Sequence, residues 1–208
     1  VRALTEPGDA VVIEEPVYYP FRQVVEDNGR SVVSVPLTRD ADGVYRRDLA
    51  ALESTIEATG ARLLLLCNPH NPVGRVWSRE ELAALEEVTA RHGVVVVADE
   101  IHADLALPGF ATTPFASLSE AAAAHTITCT SPSKSFNLAG LQVANILIAD
   151  AHLLMSQARI ESRLGELEHE RRHRRRAAAP EHPQGAGAGM AAPMPPNPPP
   201  TRTPPRRC

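Results

Sequence analysis

Short apolar runs recur along the first two-thirds of the chain, separated by stretches with helical spacing. Residues 10–14 (Ala-Val-Val-Ile-Glu) follow the turn Pro7-Gly8-Asp9 and predict a short buried strand. Residues 21–28 look helical and stop at Gly29, and residues 31–35 predict a second strand closed by Pro36. Within 48–58 the apolar positions Leu49, Leu52 and Ile56 lie three and four apart, with Gly60 beyond them, which predicts a helix. The run 63–67 (Leu-Leu-Leu-Leu-Cys) has no charged position, as expected of a strand covered on both faces. Ser78 and Glu81 have the spacing of a capping box, opening a helix that runs through His92 to a stop at Gly93. Residues 94–98, 125–129 and 143–149 predict three further strands.

Strands that alternate with amphipathic helices predict an α/β fold, a three-layer sandwich around a mostly parallel sheet. Ligands bind such sheets beyond the carboxyl ends of the strands, so the residues just after each strand matter most. The alternation divides the chain into a domain at 1–154 and a tail at 155–208. The tail is helix-permissive at first, turns basic at Arg171–Arg176, and is dominated by Pro, Gly and Ala from Ala177 onward. Such a composition buries too little apolar surface to offset the entropy of ordering. It reads as a disordered tail, or as a GC-rich gene translated in a shifted frame.

Composition narrows the class. A hydrophobic share of 43% in 208 residues excludes wholesale disorder. No stretch approaches the roughly 18 apolar residues of a membrane helix, and nothing at the start resembles a cleavable signal, so a cytoplasmic setting without membrane contact is expected. A chain that opens on Val1 is expected to lack its natural start. Cys67, Cys129 and Cys208 are too scattered for a disulfide framework or a metal cluster. Residues 1–155 carry 11 Lys and Arg against 20 Asp and Glu, a balance of −9, whereas 156–208 carry 10 Arg against 5 Glu, a balance of +5. Of the 21 basic side chains one alone is Lys, namely Lys134. Arginine stays protonated, whereas an amine can lose its proton and attack a carbonyl.

Three strand ends carry polar chemistry. Asn68-Pro69-His70-Asn71-Pro72-Val73-Gly74 follows 63–67, and its prolines and glycine stiffen a loop that holds Asn71 as a fixed amide donor; the same residues also make plain turns. Asp99-Glu100-Ile101-His102 follows 94–98. An aspartate there is costly unless it meets a cation, or else it caps the next segment. Thr130-Ser131-Pro132-Ser133-Lys134 follows 125–129 and sets hydroxyls beside the sole lysine, where a surface loop is the plainer alternative. An amide, a carboxylate, hydroxyls and an amine at one sheet edge match the functional groups of pyridoxal 5'-phosphate.

The runs NPHNPVGRVW, ADEIH and SPSKSFNLAGLQ, in this order, resemble the fold-type I aminotransferase superfamily, and within it the cystathionine β-lyase (MalY/PatB) branch. Pro16-Val17-Tyr18-Tyr19-Pro20-Phe21 belongs to the same resemblance, which covers residues 1–154. It implies an incomplete large domain of a pyridoxal-phosphate enzyme. Lys134 would attach the cofactor and, with burial readying its amine, act as the catalytic base. Asp99 would pair with the pyridine nitrogen, Asn71 would donate to the phenolic oxygen, and Tyr18 would stack on the ring. Ser131 and Ser133 would hold the phosphate. His102, which the resemblance places among the cofactor-binding residues, stands where many aminotransferases have Tyr, and Gln142 stands where many have a phosphate-binding Arg; both agree with the lyase branch.

The implied activity is a C–S β-lyase acting on cystathionine or related cysteine S-conjugates, with a small amino-acid substrate and a homodimeric parent. The glycine-rich phosphate loop and the small domain of family members are not visible in the sequence. Three alternatives remain open: a class I/II aminotransferase, an inactive fragment of a lyase, and a binding module whose Arg171–Arg176 cluster meets a polyanion. The acidic body and a tail without interleaved aromatics argue against nucleic acid.

Overall fold

The structure, a computed structural model, describes residues 1–151, 153 and 154. These belong to one unit, Val1–Glu168; the other unit, His169–Cys208, and the expectations for the 155–208 tail lie outside the described residues.

The chain begins β1 (Ala10–Glu15), α1 (Pro20–Glu26), β2 (Ser31–Pro36), then a small hairpin, β3 (Thr38–Arg39) and β4 (Tyr45–Arg46). It continues α2 (Leu49–Thr59), β5 (Leu63–Cys67), α3 (Arg79–Arg91) and β6 (Val95–Asp99). It ends α4 (Glu120–Ala124), β7 (Thr126–Thr130), α5 (Pro132–Ser135) and β8 (Asn145–Ile148). Six strands form one sheet in the order β2-β1-β5-β6-β7-β8. All pairs are parallel except β7–β8, which is antiparallel.

Local chemistry explains the helix bounds. Asp48 caps α2 by accepting from the Ala51 amide at 2.9 Å, and Gly60 ends it with a φ of 65°, a conformation that costs glycine little. The expected capping box at α3 is present: the Glu81 amide donates to Ser78 Oγ, and the Ser78 amide donates to the Glu81 carboxylate. Glu80 and Glu81 in the first turn and Arg91 in the last complement the helix dipole.

The strand alternation splits the core between the two faces of the sheet. On one face Val12, Leu64, Leu66, Val96 and Ala98 pack with Leu52 and Ile56 of α2, Leu82, Leu85 and Val88 of α3, and Trp77. On the other, Val11, Ile13, Leu63 and Leu65 pack with Phe21 and Val25 of α1. Every residue of β5 is buried, and each leucine there contributes roughly 1.5–3 kcal/mol relative to exposure. Strand β8 differs: Ile146 and Leu147 are exposed, as are Phe136, Leu141 and Val143 before it. No helix among the described residues is long and apolar enough to cross a membrane.

Candidate functional site

Parallel pairing brings the carboxyl ends of β5, β6 and β7 into line: Cys67 is level with Asp99, and Asp99 with Cys129. Asp99 is therefore the last residue of β6, one position inside the strand rather than after it. Side chains at matched positions of parallel strands share a face, so the Asp99 carboxylate lies between two thiols.

Asp99 is half-buried, and burial pushes its carboxyl above the usual range. Three influences oppose that shift: the Ile101 amide, which donates to Oδ1 at 3.2 Å, and the charges of His102 and Lys134. The carboxylate makes no ion pair among the described residues. A cation brought against it would be stabilised and would draw its pKa down again.

Lys134 lies in the short helix α5, directly after β7. Its helix is tied to the stretch after β6 by Ser135 Oγ, which donates to Asp104 Oδ2 at 2.7 Å. Lys134 is exposed, so the expectation of a buried amine is corrected. The exposed apolar residues around it show the reason: nothing among the described residues covers that end of the sheet. The segment 131–135, for which a surface loop was the alternative, is a helical turn. Ser131 caps it by accepting from the Ser133 amide at 3.1 Å, and Pro132 occupies its first position. Ser131 Oγ donates to the Val143 carbonyl at 2.6 Å and is bonded to Ser133 Oγ. The two hydroxyls are thus together, and both are engaged within the protein.

Asn71 sits in the loop after β5. Its backbone N–H donates to Cys67 Sγ at 3.3 Å, the His70 backbone N–H to the Arg75 carbonyl at 2.8 Å, and the Gly74 backbone N–H to the His70 carbonyl at 2.9 Å. Burial pushes the Cys67 thiol up to about 12, so it stays protonated and its role is to hold the loop. A cleft of about 470 Å³ opens beside this loop, walled opposite by Leu105, Leu107 and Phe110. Asn71 and His102 line it; Asp99, Lys134, Tyr18 and the two serines do not. Tyr18, after β1, is exposed, with its ring centroid 5.4 Å from that of Tyr19.

Behind these residues stands a buried polar frame to which the sequence reading gave no role. Glu14 and Arg47 form a two-bond ion pair, with NH2 to Oε2 at 2.7 Å and Nε to Oε1 as the second bond. The Arg47 guanidinium lies 4.3 Å from the centre of the Trp77 ring, and Trp77 Nε1 donates to the Cys67 carbonyl at 3.1 Å. Asn68 Nδ2 donates to the Thr113 carbonyl at 2.9 Å, and Glu100 accepts from the Phe115 amide at 2.8 Å. Burial raises the Glu100 pKa. The available signals were slight: the chain's single Trp, and a pair of acids closing an apolar strand.

Comparison with known proteins identifies the family. Over 150 residues the chain is 53% identical to cystathionine beta-lyase PatB of Bacillus subtilis, a match covering 72% of this chain and 38% of that protein. Cystalysin of Treponema denticola, whose crystal structure contains a pyridoxal 5'-phosphate cofactor, superposes with a TM-score of 0.73 at 40% identity. That match covers 75% of this chain and 39% of cystalysin. The pyridoxal-phosphate-bound C–S lyase of Staphylococcus hominis gives 0.69 at 37% identity, over 74% of this chain and 39% of that one. The chain thus spans about two-fifths of the length of such relatives. A sequence model of the aminotransferase class I and II family matches residues 1–167, and the chain belongs to that family.

Proposed function

We propose that this chain carries the cofactor-binding part of a pyridoxal-phosphate-dependent C–S β-lyase. The substrate class is cystathionine or related cysteine S-conjugates, and with one water consumed the products are a thiol, pyruvate and ammonia. The observation that carries the reading is Asp99. Its carboxylate ends a central parallel strand, is held up by burial, makes no ion pair among the described residues, and lies within electrostatic reach of Lys134. A protonated pyridine nitrogen is the kind of cation this position favours. Similarity to PatB, to cystalysin and to the Staphylococcus lyase supports the same reading.

The residues present fit the cofactor. Asp99 would hold the ring nitrogen protonated, the Asn71 amide would donate to the phenolic oxygen, and Tyr18 would cover a face of the ring. Ser131 and Ser133 are the phosphate donors in this reading, after giving up their bonds to Val143 and to each other. When bound, the cofactor supplies an electron sink for the pair left as the substrate's Cα loses its proton. Lys134 would attach the cofactor, and its amine would take the Cα proton as general base while the sulfur leaves Cβ as a thiolate, which that proton can then neutralise. His102, whose charge reaches Asp99 and which stands on the cleft wall, completes the cofactor-binding set in this reading.

Titration with pyridoxal phosphate tests the reading. The expected result is a saturable visible absorption band that Lys134→Ala abolishes; a band unchanged in that variant would refute the assignment. Release of pyruvate and thiol from cystathionine without a keto-acid acceptor is expected, and a strict need for an acceptor would make the enzyme an aminotransferase.

A further inference from the structure

His70 sits between the two asparagines of the loop after β5, and nothing in the proposed chemistry uses it. The residue is 2% exposed. Its Nε2 lies 3.0 Å from the carbonyl oxygen of Pro16. A carbonyl only accepts, so Nε2 bears the proton and donates, and Nδ1 is the bare nitrogen. The ring stands edge-on to Trp77, centroids 5.6 Å apart at 82°. Trp77 is itself held by its bond to Cys67 and by the guanidiniums of Arg47 and Arg75, at 4.3 and 4.8 Å from its ring centre. The imidazole therefore has one position, fixed from behind by a fully buried indole.

What this imidazole joins is specific. The β1–β5 ladder ends at Ile13 and Leu65. Beyond that point the two chains separate, one leading to Tyr18 and the other to Asn71. The bond from His70 to Pro16 carries the connection past the end of the ladder, two residues before Tyr18 and next to Asn71. We infer that His70 is a positioning residue, whose Nε2–H bond to the Pro16 carbonyl sets the Tyr18 ring and the Asn71 amide at the separation that the cofactor ring requires. The inference rests on the proposed function for what the two residues hold; the tie itself is a property of the chain.

His70→Gln and His70→Met separate the donor from the bulk, because the two side chains have nearly the same length and only glutamine can donate to Pro16. Pyridoxal phosphate is titrated into both variants and the parent chain, with the absorption maximum and thermal midpoint recorded for each. The methionine variant is expected to bind about tenfold more weakly than the parent, with a displaced maximum, the cost of one lost hydrogen bond at a buried acceptor. The glutamine variant should stay within about threefold of the parent, at the parent's maximum. Equal affinity and equal maxima in all three proteins would overturn the inference. So would a methionine variant that fails to fold while the glutamine variant folds and binds, since His70 would then be purely structural.

A parent chain that shows no band at all refutes the proposed function instead. Backbone amide exchange without cofactor then decides the tie. Faster exchange at residues 17–19, 71, 73 and 74 in the methionine variant alone, with β5 and β6 unchanged, supports it; identical exchange in all three overturns it.

Discussion

Arg47→Met should remove a large part of this chain's stability, and changing Glu14 to Leu in the same chain should restore most of it. Both side chains of the pair are almost fully buried, at 4% and 1% exposure. The pair is bidentate, the geometry in which a carboxylate and a guanidinium satisfy each other best. Arg47→Met leaves the Glu14 carboxylate buried and uncompensated, a change that costs about 3–5 kcal/mol. Domains of this size are stable by only about 5–15 kcal/mol, so the single variant should unfold at a much lower urea concentration. Replacing both partners by apolar groups removes the buried charge altogether, and such replacements are typically neutral or better. What the double variant still lacks is the Arg47 cation on the Trp77 ring, one of two there beside Arg75, worth roughly 1–2 kcal/mol in a desolvated setting. The double variant should therefore lie about 1–2 kcal/mol below the parent. Urea unfolding followed by far-ultraviolet circular dichroism is the assay, since Trp77 fluorescence would respond to the substitution itself. A double variant as unstable as Arg47→Met alone would refute the reasoning, because the cost would then lie in lost packing and not in an orphaned charge.

Three other expectations are open to simple measurement. Burial holds the His70 imidazole below its ordinary value of 6.5, so the unfolded chain takes up the proton first. The stability it contributes is complete above about pH 6.5 and is lost as pH falls below that toward the lowered pKa. His70→Gln should flatten this slope, and an equally steep loss in the variant would clear His70 as its cause. Cys67, with its thiol pushed up to about 12, should resist alkylation in the folded chain and react after unfolding; peptide mass mapping that finds it labelled at the rate of a free thiol would contradict its placement. Ser78→Ala should cost about 1 kcal/mol by opening the α3 capping box. No change in the urea midpoint would mean that the cap contributes nothing.

The central strands were legible because burial on both faces leaves a plain mark. The leucine run at 63–67 predicts β5 with its observed bounds, and the run at 94–98 is displaced by one residue from β6. Ser78 and Glu81 announced α3 through hydrogen-bonding chemistry that needs no tertiary context. The hairpin of β3 and β4 escaped because two-residue strands are shorter than any periodicity. At α5 a surface loop was the plainer alternative, although serine at a cap and proline at the first position also open a helix. Asp99 and Lys134 were legible as candidates because strand ends and a unique residue type can be read along the chain. Glu14, Arg47, His70 and Trp77 were not, because their meaning lies in contacts between residues up to tens of positions apart. Lys134's exposure likewise depends on what covers the sheet, which no local pattern encodes.

The strand order has a consequence for how the chain assembles. Taken in chain order, β2 joins one edge of β1, and β5, β6, β7 and β8 then join the opposite side one after another. Each new strand meets an edge left open by the previous one, and none has to be threaded between two strands already paired. The sheet can therefore grow outward as the polypeptide emerges during synthesis, with domains forming from the amino-terminal end. The residues assigned to the cofactor arrive in the same sequence: Tyr18 with β1, Asn71 with β5, Asp99 with β6, and the two serines and Lys134 last, behind β7. The group that would bind the cofactor covalently is thus put in place only after the carboxylate meant to receive the ring nitrogen is already set in the sheet.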